Sequence, residues 1–143
     1  MKKLLALYEY AEQMDIDVDW FLLTRASSLS VELPGGKYAI ALDPSKLQSI
    51  NDERVHLAHE LGHCITGSFY NRYTPLDVRQ KHENHADKWA IKKLIDLDEF
   101  AVALKEGNDT SALADRFGVT ETLIKKAVCW YTNGNLAFEN YGM

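Results

Sequence analysis

Between Lys2 and Met14 the apolar positions Leu4, Leu5, Leu7, Tyr8, Ala11 and Met14 recur at helical spacing. They gather on one broad face and predict an amphipathic first helix over residues 2–14. The period then changes. Residues 27–33 and 37–42 form two short β-prone runs separated by Pro34-Gly35-Gly36, which reads as a hairpin. After Asp43-Pro44 the chain turns, and Asn51 or Asp52 is placed to cap a helix running to Cys64 or Ile65. Gly67 to Pro75, with Asn71 and three aromatics, reads as a loop. A second long helix is predicted from Arg79 to Ile95, then a shorter one from Asp98 to Lys105. Gly107-Asn108-Asp109 breaks the pattern, residues 111–131 divide into two short helices around Gly118, and 132–143 read as a weakly structured tail. The expected fold class is therefore α+β: mainly helical, with one small antiparallel sheet. Residues 1–106 read as the body, and 107–143 as a C-terminal helical extension packed on it.

Composition narrows the classes. The 143 residues are 46% hydrophobic and 26% charged, which suits a soluble globular chain and excludes disordered or low-complexity types. Sixteen Lys+Arg against 21 Asp+Glu leave a net charge of -5, which argues against a general electrostatic grip on nucleic acid or an anionic membrane. Only a local basic patch stays open. The longest strongly apolar run, Trp20-Phe21-Leu22-Leu23, is far too short to span a bilayer. The stretch Met1 to Leu7 briefly resembles a signal peptide, but Tyr8, Glu9, Tyr10 and Glu12 interrupt it and no small-residue cleavage site follows. Cys64 and Cys129 are too few for a disulfide framework or a Cys-rich zinc site. Cytoplasm is the expected compartment.

The chemistry concentrates at His59-Glu60-Leu61-Gly62-His63, an HExxH motif inside a predicted helix. Residues four apart project about 40° from one another and about 6 Å along the axis, so His59 and His63 can converge on one Zn²⁺. Glu60 projects about 100° from His59, near enough to reach a water on the ion without displacing it. Leu57, Leu61, Cys64 and Ile65 form the apolar back of this helix, and Val55, His59, Gly62 and His63 its front. Glycine in a helix interior costs up to about 1 kcal/mol relative to alanine, so Gly62 implies close approach of another group, either a metal or a tightly packed segment.

A zinc enzyme needs a third protein ligand and an open position. Asp77, His82, Glu83, His85 and Asp87 are the candidates downstream. On the wheel of the second long helix, Glu83 and Asp87 fall within the apolar face formed by Ala86, Ala90, Ile91 and Leu94, while His85 falls opposite and His82 at the edge. Carboxylates on a buried face are costly unless they are paired or coordinate a cation. Glu83 is thus the preferred ligand, and Asp87 the acceptor for the remaining ring N–H of a ligating histidine. A buried carboxylate paired with Arg or Lys is the competing reading.

His59-Glu60-x-x-His63 followed by Glu83-x-x-x-Asp87 is similar to the gluzincin arrangement. More closely, Ala58-His59-Glu60-Leu61-Gly62-His63 with Glu83-x-x-Ala86-Asp87-x-Trp89-Ala90 resembles the ImmA/IrrE family of small metallo-endopeptidases, over roughly residues 20 to 128. The resemblance implies a zincin-like minimal metallopeptidase with His59, His63 and Glu83 as zinc ligands and Glu60 as catalytic base. Asp87 stands where that family often has Asn, and His85 where an acid is common. In such an enzyme Glu60 takes the proton of the attacking water and delivers it to the leaving amine. Tyr70, Tyr73, His56 and His82 are all candidates to stabilise the oxyanion, with none assigned. The resemblance also implies a substrate: a helix-turn-helix transcriptional repressor of a phage or mobile element.

Leu113, Ala114, Gly118, Val119, Ile124 and Ala127 have helix-turn-helix spacing, with Thr120 as a cap and Lys125-Lys126 further along. Direct DNA reading is disfavoured by Glu121 at the helix start and by the acidic chain, so packing on the body or on a partner protein is expected. Cys129, Trp130 and Tyr131 are expected in the core, and Cys64 as a buried thiol. The leading expectation is a zinc-dependent endopeptidase. The alternative is a non-catalytic regulator or toxin–antitoxin component that binds a repressor or DNA, with a structural metal site.

Overall fold

The structure, a computed structural model, describes residues 1–133. In chain order its elements are α1 (Lys2–Gln13), β1 (Ile16–Trp20), β2 (Ser28–Leu33), β3 (Lys37–Leu42), α2 (Ile50–Thr66), α3 (Leu76–Leu94), α4 (Leu97–Lys105), α5 (Thr110–Phe117) and α6 (Glu121–Thr132). The fold is α+β and mainly helical. No described helix is long and apolar enough to cross a membrane. Residues 134–143, the greater part of the expected tail, lie outside the described residues.

The sheet corrects one expectation: it is mixed rather than antiparallel. Its order is β1-β3-β2, with β2 antiparallel to β3 through the glycine turn and β1 parallel to β3. Gly35 and Gly36 have φ of 83° and 75°, the left-handed region that the tight connection needs. In register, Ile16, Val18, Tyr38, Ile40 and Leu42 share one face, and all of them join the core or pack against it. That face continues on β2 as Ser28, Ser30 and Glu32, which are polar. The approach to β2 is fixed by buried Asp43, whose carboxylate accepts from Leu23 N (2.8 Å) and whose N–H donates to Ser27 O (2.9 Å).

Helix α1 buries a seam narrower than the predicted face. Leu4, Leu7 and Ala11 are buried, whereas Leu5 and Met14 are 53% and 46% exposed, because α1 has a partner along one side only. Helix α2 begins earlier than expected. Ser49, in extended conformation, is its cap and accepts from Asp52 N at 3.0 Å, while Asp52 reaches back to Gln48 N. Gly67 ends it in the left-handed conformation with φ of 68°. Helix α3 likewise starts at Leu76, three residues before Arg79.

Leu57, Leu61 and Cys64 of α2 are buried as its apolar back. Burial first, then the charges of Glu60 and Glu32, push the Cys64 thiol up to about 12, so it stays protonated. Gly62 faces α3 directly: a Cβ there would lie 2.6 Å from Ala86 O and 2.9 Å from Ala86 Cα. Tight helix packing is therefore the local reason for this glycine. The C-terminal pair is anchored from beneath. Buried Arg54 donates through Nη1 to Phe117 O (2.7 Å) and Gly118 O (2.8 Å), the carbonyl end of α5. Leu113, Ala114, Val119, Ile124 and Ala127 are all buried. Of the three residues expected in the core at this end of α6, Trp130 is half-buried and packs against it, whereas Cys129 is exposed and Tyr131 is 37% exposed.

Replacing Gly62 by alanine tests the α2–α3 approach. Helix propensity alone favours alanine by about 1 kcal/mol. The clash is with main-chain atoms that cannot rotate away, and overpacking costs about 1–3 kcal/mol or more. Gly62→Ala is thus expected to lower stability in urea unfolding; a stabilised variant would contradict the close contact.

Candidate metal centre

Helix α2 presents His59 and His63 one turn apart, and α3 brings Glu83 to meet them. His59 Nε2 lies 3.2 Å from His63 Nε2 and 3.1 Å from Glu83 Oε2, and His63 Nε2 lies 2.8 Å from Glu83 Oε1. The outer ring nitrogens are also engaged. His59 Nδ1 is 2.6 Å from Asp87 Oδ1, and His63 Nδ1 is 2.5 Å from the main-chain oxygen of Ser68. A carbonyl and a carboxylate accept only, so each Nδ1 carries the proton and donates. In the neutral rings each Nε2 is then a bare lone pair. Two such lone pairs and a carboxylate, facing one another at these distances, suit a cation between them.

The donor atoms of His59, His63 and Glu83 lie within 4.8 Å of one another and could hold a metal ion. Two imidazoles and one carboxylate are the donor set of open zinc sites, so the residues fit such an ion by chemistry as well as by convergence. Asp87, buried, spends its other oxygen on Lys126 of α6, whose Nζ is 2.7 Å from Oδ2. Burial opposes its ionisation, but the hydrogen bonds and charges of His59 and Lys126 hold its carboxyl below the usual range.

Glu60 is 6% exposed and points to the same cleft, where its Oε2 accepts from Ser28 Oγ at 2.7 Å. The cleft, about 440 Å³, is bounded by the start of β2, the front of α2, Glu83 and the Ser68–Tyr70 segment. A second hollow of about 470 Å³ shares His56, His59 and Glu83 with it and is walled by Thr122, Leu123 and Lys126 of α6.

The remaining candidates are dispersed. Tyr70 and His56 line the cleft. Tyr73 is 77% exposed and is not part of the lining. His82 lies behind Tyr70, ring centroids 6.3 Å apart, with a buried Nδ1 that has no partner among the described residues. His85 contacts His82 edge-on, and Asp77 is exposed in the first turn of α3. Neither joins the group. The sequence pattern does not mark Ser28 or Ser68 as site residues, and it places Lys126 only in the helix-turn-helix-like pair. Ser68 acts through its backbone, which leaves no side-chain trace; Lys126 depends on how α6 docks. Ser28 did leave a trace, a polar residue at an inward position of a strand.

The family model described as the IrrE N-terminal-like domain, a peptidase family, matches residues 11–128. Neither a curated protein nor a solved structure matches the chain.

With protein groups alone around it, His59 is pulled two ways. Burial disfavours the charged ring, but the hydrogen bonds to Asp87 and Glu83 and the charges of Asp87 and Glu60 prevail, raising its pKa to about 10. Glu83 is the mirror case: burial works against its charge, and His59 and His63 overcome that and hold its carboxyl well below the usual range. A ligating imidazole must be neutral, so an entering cation displaces the His59 proton. Loading a chelated sample with a divalent cation at pH 7 is therefore expected to release about one proton per chain. Affinity should fall as pH is lowered below about 10, since protons compete for the same nitrogen. Calorimetry in two buffers of different ionisation enthalpy measures this; identical heats would show that no proton leaves.

Proposed function

The chain belongs to the IrrE N-terminal-like peptidase family, and from that premise we propose that it is a zinc-dependent endopeptidase that hydrolyses a peptide bond in a cytoplasmic protein. The observation that carries the reading is the convergence of three lone-pair donors beside a buried carboxylate, all opening on one cleft. When bound, zinc supplies a Lewis acid that acidifies water and polarises the scissile carbonyl. His59, His63 and Glu83 would hold it, with Asp87 and Ser68 O fixing the orientation of the two rings.

The chain's own groups supply the rest. Glu60 accepts the proton of the attacking water and returns it to the leaving amine. Tyr70 is the donor best placed to meet an oxyanion. It lines the cleft, and burial first, then the charge and hydrogen bond of Glu83, push its phenol up, so it keeps its proton. β2 is the terminal strand of the sheet and borders the cleft through Ser28, Leu29 and Ser30. An extended peptide laid along it would add a fourth strand, held by main-chain hydrogen bonds whatever its side chains. A flexible segment of a helix-turn-helix transcriptional repressor from a phage or mobile element suits such a groove and is the proposed substrate. The second hollow then gives α6 a place along the substrate path, which favours protein recognition over DNA reading by the C-terminal pair.

Glu60→Gln tests the assignment. It is expected to keep the parental zinc content and to lose about 10²–10⁴-fold in cleavage of a cognate repressor, the usual contribution of a general base. Cleavage at the parental rate would remove Glu60 from the mechanism.

A further inference from the structure

A chain of polar side chains runs from Glu60 along the wall of the cleft, and the proposed hydrolysis assigns it no chemical task. Ser28 Oγ lies 2.7 Å from Glu60 Oε2 and 3.1 Å from His56 Nδ1, and His56 Nε2 lies 3.5 Å from Asp52 Oδ1. We infer that Ser28, itself held by His56, is a positioning residue that fixes the Glu60 carboxylate in one orientation. The inference rests on the peptidase reading above.

The direction of each hydrogen bond follows from counting protons. A serine hydroxyl has one proton, and an ionised carboxylate can only accept. Ser28 therefore gives its proton to Glu60, along the shorter of its two contacts. The contact with His56 must then be made by the ring, with Nδ1–H donating to Ser28 Oγ. This arrangement leaves the hydroxyl no freedom to rotate. One lone pair of Glu60 Oε2 is taken by Ser28, and the carboxylate keeps Oε1 to exchange a proton with water in the cleft.

The geometry is built from two elements that cannot drift independently. His56 and Glu60 are one turn apart on α2 and face the same way. Ser28 is in register with Leu42 on β3, and the preceding residue, Ser27, accepts from Asp43 N. A glutamate side chain otherwise has three torsions to settle, and proton transfer requires the carboxylate within hydrogen-bond reach of the water. The hydroxyl removes that freedom. Its place on β2 also sets the carboxylate relative to the strand along which the substrate would lie.

The test uses the full zinc-loaded chain and a fluorescence-quenched peptide library. Ser28→Ala is expected to lower kcat by about 10–100-fold, the usual cost of losing an outer partner in such a centre. KM and zinc affinity should stay at parental values, and Ser28→Thr, which keeps the hydroxyl on a strand-compatible side chain, should restore kcat. A spectroscopic readout is independent of activity. In ¹⁵N spectra recorded where the ring is neutral, His56 should carry its proton on Nδ1 in the parent. In Ser28→Ala the proton should move to Nε2, where Asp52 is the remaining acceptor. A folded Ser28→Ala protein with parental kcat, or an unchanged His56 tautomer, overturns the inference. If the parent cleaves nothing the peptidase reading fails, and the tautomer alone then decides whether Ser28 is held as described.

Discussion

The main chains of α2 and α3 come together at Gly62 and Ala86 so closely that one methyl group would not fit between them. The distances from Glu83 to both rings and from Asp87 to His59 depend on that approach. His59 and His63 lie on either side of Gly62 along α2, and Glu83 and Asp87 on either side of Ala86 along α3. A helix surface covered by ordinary side chains would hold the axes about 8–10 Å apart. With glycine against alanine the front of α2 can meet short acidic side chains on α3, and no long, floppy arm is needed to bridge the gap. The conformational cost of glycine, about 1 kcal/mol, is small against the ordering of four chemically active groups that it permits.

Around this contact the interior holds several buried polar groups, and most of their hydrogen-bonding atoms have partners; the buried Nε of Arg54 has none among the described residues. Asp87 divides its two oxygens between His59 and Lys126. Arg54 meets the carbonyl end of α5, where the partial negative charge of a helix terminus resides. Hydrogen bonds to charged groups contribute about 1.5–3 kcal/mol each, enough to offset part of the desolvation of a buried guanidinium. Burial alone lowers the pKa of Arg54, yet it remains far above neutrality as arginines do. These contacts join the helix pair after Gly107 to the centre of the molecule with direction as well as adhesion.

The parts of the architecture that were legible in the sequence are those governed by local periodicity. The four-residue interval from His59 to His63 puts both rings on one face whatever the rest of the chain does. The wheel of α3 shows Glu83 and Asp87 among alanines and leucine, a pattern that demands a partner for each carboxylate. The hairpin was readable because Gly35 and Gly36 have no other plausible use. β1 is not legible in the sequence because its five residues carry two aspartates and only Ile16 and Val18 to pack inward, a weak alternation beside the stronger patterns on either side. Leu5 and Met14 belong to the broad apolar face by spacing yet stay exposed, because periodicity reports hydrophobic positions and says nothing of how wide the neighbouring surface is. The cap position is ambiguous in the sequence because Asn51 and Asp52 offer the same chemistry two and three residues after Ser49. Lys126 and Ser28 reach the site from 39 and 32 residues away from their partners, and only the fold makes those pairs.

The tether between Lys126 and Asp87 also bears on the order in which a ribosome delivers this chain. His59, His63, Glu83 and Asp87 are all made before α6 exists, and the carboxylate that steadies His59 then has no ammonium on its second oxygen. Only after some forty further residues does the nascent polypeptide supply that counter-charge. Vectorial synthesis therefore assembles the donors first and their outermost support last, so that the finished electrostatic setting of the centre requires a chain that already includes α6.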